Sequence, residues 1–146
     1  MSLIESTIKK LVDVEKRISE IKGSFILFAL FKRTDILKEK NQEKWDLVMS
    51  SSWIKEKNDQ ANREYVFGEL LKKFTGEEIS EFLEKLVFID SKDEFIKLTT
   101  NKVGELEHVH EEEKAHVGLV RDGQKLDIAD AYIITSRPIK ESVKKR

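Results

Sequence analysis

Cysteine is absent from the 146 residues, which excludes disulfides, thiolate zinc sites and cysteine nucleophiles together. Proline occurs once, at Pro138, so no proline-rich hinge divides the chain. The six glycines, Gly23, Gly68, Gly76, Gly104, Gly118 and Gly123, are scattered singly, and a glycine-rich loop that cradles phosphates is excluded with them. Long apolar runs are missing too: the longest, Phe25 to Phe31, has seven residues, against the roughly 20 that a bilayer-spanning helix needs. Glu5, Lys9, Lys10 and Asp13 stand where a secretory signal would be apolar, so the expectation is a cytoplasmic protein that makes no use of a membrane. Nor is charge of one sign in excess. With 27 basic and 28 acidic side chains the net charge is −1, and the overall field neither attracts nor repels a polyanion.

What is present is a charged skin around enough apolar material for a core: 38% charged and 39% hydrophobic residues. The chain is of ordinary single-domain length. Ile4, Ile8, Leu11, Val14, Ile18 and Ile21 recur at spacings of three and four, which predicts one long N-terminal helix with a single apolar stripe. Ser2 and Glu5 have capping-box spacing at its start, and Gly23 is placed to stop it. Phe25 to Phe31 is apolar on both faces and reads as a strand in the middle of a sheet. A charged connection from Thr34 to Lys44 follows. Trp45 to Trp53 then resumes an extended pattern, pairing antiparallel with the first strand.

From Asn58 to Phe74 the helical pattern returns, with Val66, Phe67, Leu70, Leu71 and Phe74 as its stripe. Thr75 and Glu78 form a second capping box, followed by a shorter helix through Ile79, Phe82, Leu83 and Leu86. Val87-Phe88-Ile89 reads as a short buried strand. Ser91 and Glu94 give a third box, opening a helix that stops near Gly104. Ala115 to Ser136 reads as paired strands turned at Asp122-Gly123, because Asp-Gly accepts positive φ angles. The order is α-β-β-α-α-β-α-β-β. It predicts a single α+β domain over residues 1–138, with a mixed sheet of about five strands covered by helices, and a polar tail over 139–146.

Three polar groupings are candidates for chemistry. In the acidic stretch Glu105 to Glu113, an extended backbone would turn His108 and His110 to one face, as two imidazoles holding a divalent metal ion require. Ser50-Ser51-Ser52 lies at a strand end without the Gly-x-Ser-x-Gly surroundings of a nucleophile elbow, and is expected to satisfy backbone groups and start a turn. Asp90-Ser-Lys92 closes a strand, with Asp46 on an earlier one. An acid and a lysine two residues apart, joined by a second acid, suit a Mg²⁺ ion held against a phosphodiester. This pattern resembles the acidic-x-Lys half of the restriction-endonuclease-like nuclease motif, and the resemblance implies metal-dependent hydrolysis by Asp46, Asp90 and Lys92. In that family the acidic residues sit on adjoining strands, whereas two predicted helices intervene here.

Basic residues gather at Arg137, Lys140, Lys144, Lys145 and Arg146, and on the first helix at Lys9, Lys10, Lys16 and Arg17. No aromatics are interleaved with them to stack bases, so nucleic acid is not the expected partner. The expectation is therefore a non-catalytic interaction module that associates with itself. The surfaces named for this are the first helix and the apolar residues Ile36, Leu37, Trp53 and Ile54. The alternative is the metal-dependent phosphodiester hydrolase.

Overall fold

The computed structural model describes residues 3–32, 44–55, 59–119 and 129–138. It is an α+β chain built around a mixed five-stranded sheet in the order β3-β2-β1-β5-β4. Helix α1 spans Leu3–Lys22 and ends where Gly23, at φ +117°, donates its N–H to the Ser19 carbonyl at 3.0 Å. Only glycine adopts that backbone without strain. The stripe Ile8, Leu11, Val14 and Ile18 is fully buried in this chain's own core. Strand β1, Phe25–Lys32, then takes the central place, antiparallel to both β2, Trp45–Ser51, and β5, Ala129–Ser136.

Because β1 lies between two strands and between two layers, its side chains are divided. Phe25, Phe28 and Leu30 face the helical layer containing α1, while Leu27 and Ala29 face the opposite side. The sheet continues past β2 into β3, Leu83–Phe88, which runs parallel to it. A parallel neighbour demands a crossover. Here it is made by α2, Asp59–Leu70, and α3, Gly76–Phe82. The capping box at Thr75 starts α3 as its spacing predicts: Thr75 Oγ1 accepts from the Glu78 N–H at 3.0 Å, and Glu78 Oε1 accepts from the Thr75 N–H at 2.8 Å. On the far side, α4, Glu94–Val103, packs Ile96 and Phe95 against the sheet, with the Phe95 and Phe31 rings 5.7 Å apart. A single turn α5, Glu112–Ala115, leads into β4, His116–Leu119, which pairs antiparallel with β5.

Some details differ from the sequence pattern, each for a physical reason. The helix after Thr75 stops at Phe82 rather than running through Leu86. Leu83 and Leu86 fit a helical period, but as a strand the same run pairs with β2 and still directs Leu86 and Phe88 into the main core. Short apolar runs fit either period. Helix α2 ends at Leu70, and a turn then carries Phe74 into the core, leaving Phe67 and Leu71 exposed. Asp93, not Ser91, caps α4, its carboxylate accepting from the Phe95 N–H at 2.8 Å. A carboxylate at that position competes on equal terms with a serine hydroxyl. With α5 the described residues form ten elements, one more than the nine expected. The Ser2 cap, residues 34–43 of the Thr34–Lys44 connection with Ile36 and Leu37 among them, the Asp122-Gly123 turn and the 139–146 tail lie outside the described residues.

Helices α1 and α2 are joined by charge as well as by apolar packing. Buried Glu69 binds Arg17 at 2.8 Å and Lys72 at 2.9 Å. Burial works against ionisation of Glu69, but the hydrogen bonds and charges of Lys72 and Arg17 outweigh it and hold the carboxyl below its ordinary value. Glu78 shifts the same way, through the Thr75 backbone N–H and the Lys10 ammonium. A carboxyl whose folded pKa is depressed adds stability that is fully present above the ordinary glutamate range and fades as pH falls through the folded value. The melting temperature is therefore expected to hold between pH 7 and about pH 5 and to fall in more acidic buffer. Glu69→Gln should flatten that fall; an unchanged acid profile in a melting series would contradict the assignment.

Candidate functional site

The strand that carries Asp46 and the one that Asp90 follows are neighbours, because α2 and α3 form the crossover that lays β3 beside β2. The residues themselves are not brought together. Asp46 lies level with Lys85, and Asp90 comes five residues later, a separation of roughly 16 Å along extended chain. Asp90 and Lys92 are engaged in the turn before α4, where Asp90 Oδ1 accepts from the Lys92 backbone N–H at 2.9 Å. Ser51 Oγ donates to the Ser24 carbonyl at 2.7 Å, a backbone-satisfying role, while Ser50 is buried with its hydroxyl unpartnered.

His108 and His110 do not sit on one face of a strand. After an isolated bridge between Leu106 and Ser136, His108 takes a positive φ of 50°, which breaks the alternation that an extended segment would impose. His110 points to solvent, and His108 turns inward. Among the described residues no group of three or more His, Cys, Asp or Glu side chains is placed to hold a metal ion.

The inward turn of His108 builds a polar cluster of a different kind. Its Nδ1 meets a carboxylate oxygen of Glu15, whose side chain is fully buried, while the imidazole remains 27% exposed. Ser19 Oγ donates to the other Glu15 oxygen at 3.2 Å. The His108 backbone N–H donates to Thr135 Oγ1 at 3.2 Å, beside the bulge where β5 shifts register against β1. On the outer side, Glu107 Oε1 lies 3.4 Å from His108 Nε2 and 3.2 Å from Arg137 Nη2. The buried carboxylate fixes the ring through one nitrogen and aims the other outward, the arrangement by which proteins orient an imidazole for proton transfer or for donating to an anion.

Sequence reasoning named His108 and missed Glu15, its partner 93 positions earlier. One signal was available: at the spacing Leu11, Glu15, Ile18, an acid occupies a slot of the apolar stripe. Four of the basic residues weighed for nucleic acid stand in ion pairs. Lys9 pairs with Glu5, Lys10 with Glu78, Arg17 with Glu69 and Arg137 with Glu107. Ile54 is buried in the main core, and Trp53 packs between Phe25 and Tyr65, so neither forms an open apolar surface. Among the described residues no helix is long and apolar enough to cross a membrane.

Comparison with protein-family models, with curated proteins and with solved structures found no match to this chain. The functional reading therefore rests on geometry alone. The asymmetry of the sheet is its largest feature: α1, α2 and α3 cover one face, and among the described residues α4 is the helix packed on the other. Five strands at about 4.8 Å place the outer two roughly 19 Å apart, while one helix is about 10 Å wide. Ile26, Phe31, Val87 and Ile89 on that face are only partly buried, and Leu98 on α4 is 50% exposed.

Proposed function

We propose that this protein is a non-catalytic cytoplasmic interaction module that pairs with a second copy of itself through the α4 face of its sheet. The observation that carries this reading is the partial burial of Ile26, Phe31, Val87 and Ile89 on that face, together with half-exposed Leu98 on α4. Apolar area left open in this way is the usual mark of an association surface. The long N-terminal helix is no longer the surface of choice, since its stripe from Ile4 to Ile18 is spent on this chain's own core and only its last member, Ile21, is exposed. A second copy suits the α4 face because its charged rim carries both signs, with Lys92, Asp93 and Glu94 at the start of α4 and Lys102 in its last turn. The net charge of −1 leaves two copies with little mutual repulsion. A two-fold axis would set each Leu98 against the partner's open patch.

Sedimentation velocity over a hundredfold range of protein concentration tests the proposal. A dimer is expected, and Leu98→Glu should weaken it at least tenfold while the circular dichroism spectrum stays unchanged. Phe67→Glu, on the exposed side of α2, should leave association intact. A monomer at every concentration would end the reading, and dissociation by Phe67→Glu alone would assign the surface elsewhere.

A further inference from the structure

The cluster around His108 has a feature that internal packing leaves unexplained. Glu107 Oε1 sits between His108 Nε2 and Arg137 Nη2, yet the Nε of Arg137 is buried with no hydrogen-bond partner. A guanidinium offers Nε–H and Nη–H side by side, a fork that fits two oxygens of one carboxylate or phosphate. Here one of the two donors is used and the other is idle. A buried donor without an acceptor is costly to maintain, and buried polar groups are nearly always paired.

We propose that His108 and Arg137 form a receptor for a small oxyanion, the carboxylate or phosphate group of a ligand, and that Glu107 is its built-in occupant. The His108 ring is held from behind, and Arg137 is fixed through its main chain. His108 is fixed by fully buried Glu15 through Nδ1 and by Thr135 through its backbone N–H. Arg137 is anchored by its own N–H on the Ile26 carbonyl at 2.8 Å. Glu107 has no such anchor, with a side chain 56% exposed. Rotation of that side chain alone clears the site. An entering anion would take over the contact with Nη2 and reach Nε with its second oxygen, and a ring carrying both protons would add a donor at His108 Nε2. The buried end of the cluster stays unchanged, so the site is emptied and filled at its rim.

Glu107→Gln removes the competing charge from an exposed position and is expected to leave the fold intact. Titration with inorganic phosphate, and separately with malonate, at ionic strength held constant with sodium chloride, should then give saturable binding by calorimetry and a shift of the His108 ring resonances. Affinity in this variant should exceed that of the unmodified protein at least tenfold. Arg137→Ala should abolish binding; if that variant does not fold, Arg137→Lys keeps the charge, loses the fork and should still bind at least tenfold more weakly. Response to phosphate alone identifies a phosphorylated ligand, and response to malonate alone a carboxylate. No saturable binding of either probe by Glu107→Gln, or equal binding after Arg137 is replaced, overturns the proposal.

Discussion

Truncating His108 to alanine is expected to destabilise the fold by about 3 kcal/mol, the low end of the cost of leaving a buried charged group without its hydrogen-bond partner. The cost arises at Glu15. Its carboxylate is fully enclosed on the core side of α1, and without the imidazole its remaining partner there is the Ser19 hydroxyl at 3.2 Å. A carboxylate left in that position without its partner carries an unmet desolvation cost, which weakens the native state. The partial exposure of His108 admits some water, which is why the low end applies. Urea unfolding followed through Trp45 and Trp53 measures the loss. The double variant Glu15→Leu with His108→Leu should recover most of it, since apolar residues of similar volume replace a buried pair at little cost and sometimes with gain. The coupling between the two positions, read from the full cycle, distinguishes a direct interaction from two independent defects. A single His108→Ala variant within about 0.5 kcal/mol of the parent, the range of an ordinary surface substitution, would show that Glu15 is satisfied by other means.

That pair also marks the boundary between what local pattern shows and what only the fold shows. Phe25 to Phe31 reads as a central strand because a segment apolar on both faces has no other stable place in a sheet. Thr75 and Gly104 mark helix ends because capping chemistry is local, confined to three or four residues on either side. Leu83 to Leu86 is different: its strand character comes from pairing with β2, a partner supplied by the crossover and invisible in the segment itself. Asp46 and Asp90 show the same limit from the opposite direction. Two helices between them in sequence suggest distant strands, yet those helices are the connection that makes the strands adjoin, and the register then keeps the acids apart. The polar cluster was half legible. A histidine amid five carboxylates suggests local chemistry, but its buried partner lies on α1 and its outer neighbour Arg137 follows β5, where it reads only as the first residue of a basic tail.

Phe28→Ala is expected to cost about 4 kcal/mol, within the range for deleting a fully buried aromatic ring. Phe28 has no exposed surface and lies on the central strand, opposite Met49 on β2 and Thr135 on β5, with the Phe25 ring 4.8 Å away. Hydrogen-bonded strands on both sides prevent the backbone from closing over the void, so the cavity persists and its surroundings lose their contacts outright. Phe28→Leu keeps most of the volume and should cost under about 1.5 kcal/mol. The two variants together separate cavity formation from a general intolerance of substitution. The position also bears on the polar cluster, because its cross-strand neighbour Thr135 accepts the His108 backbone N–H. Relaxation of β1 toward the void should therefore shift the His108 ring resonances in Phe28→Ala, and much less in Phe28→Leu. A Phe28→Ala loss below about 1 kcal/mol would mean that the layer between α1 and the sheet is more open than its buried side chains indicate.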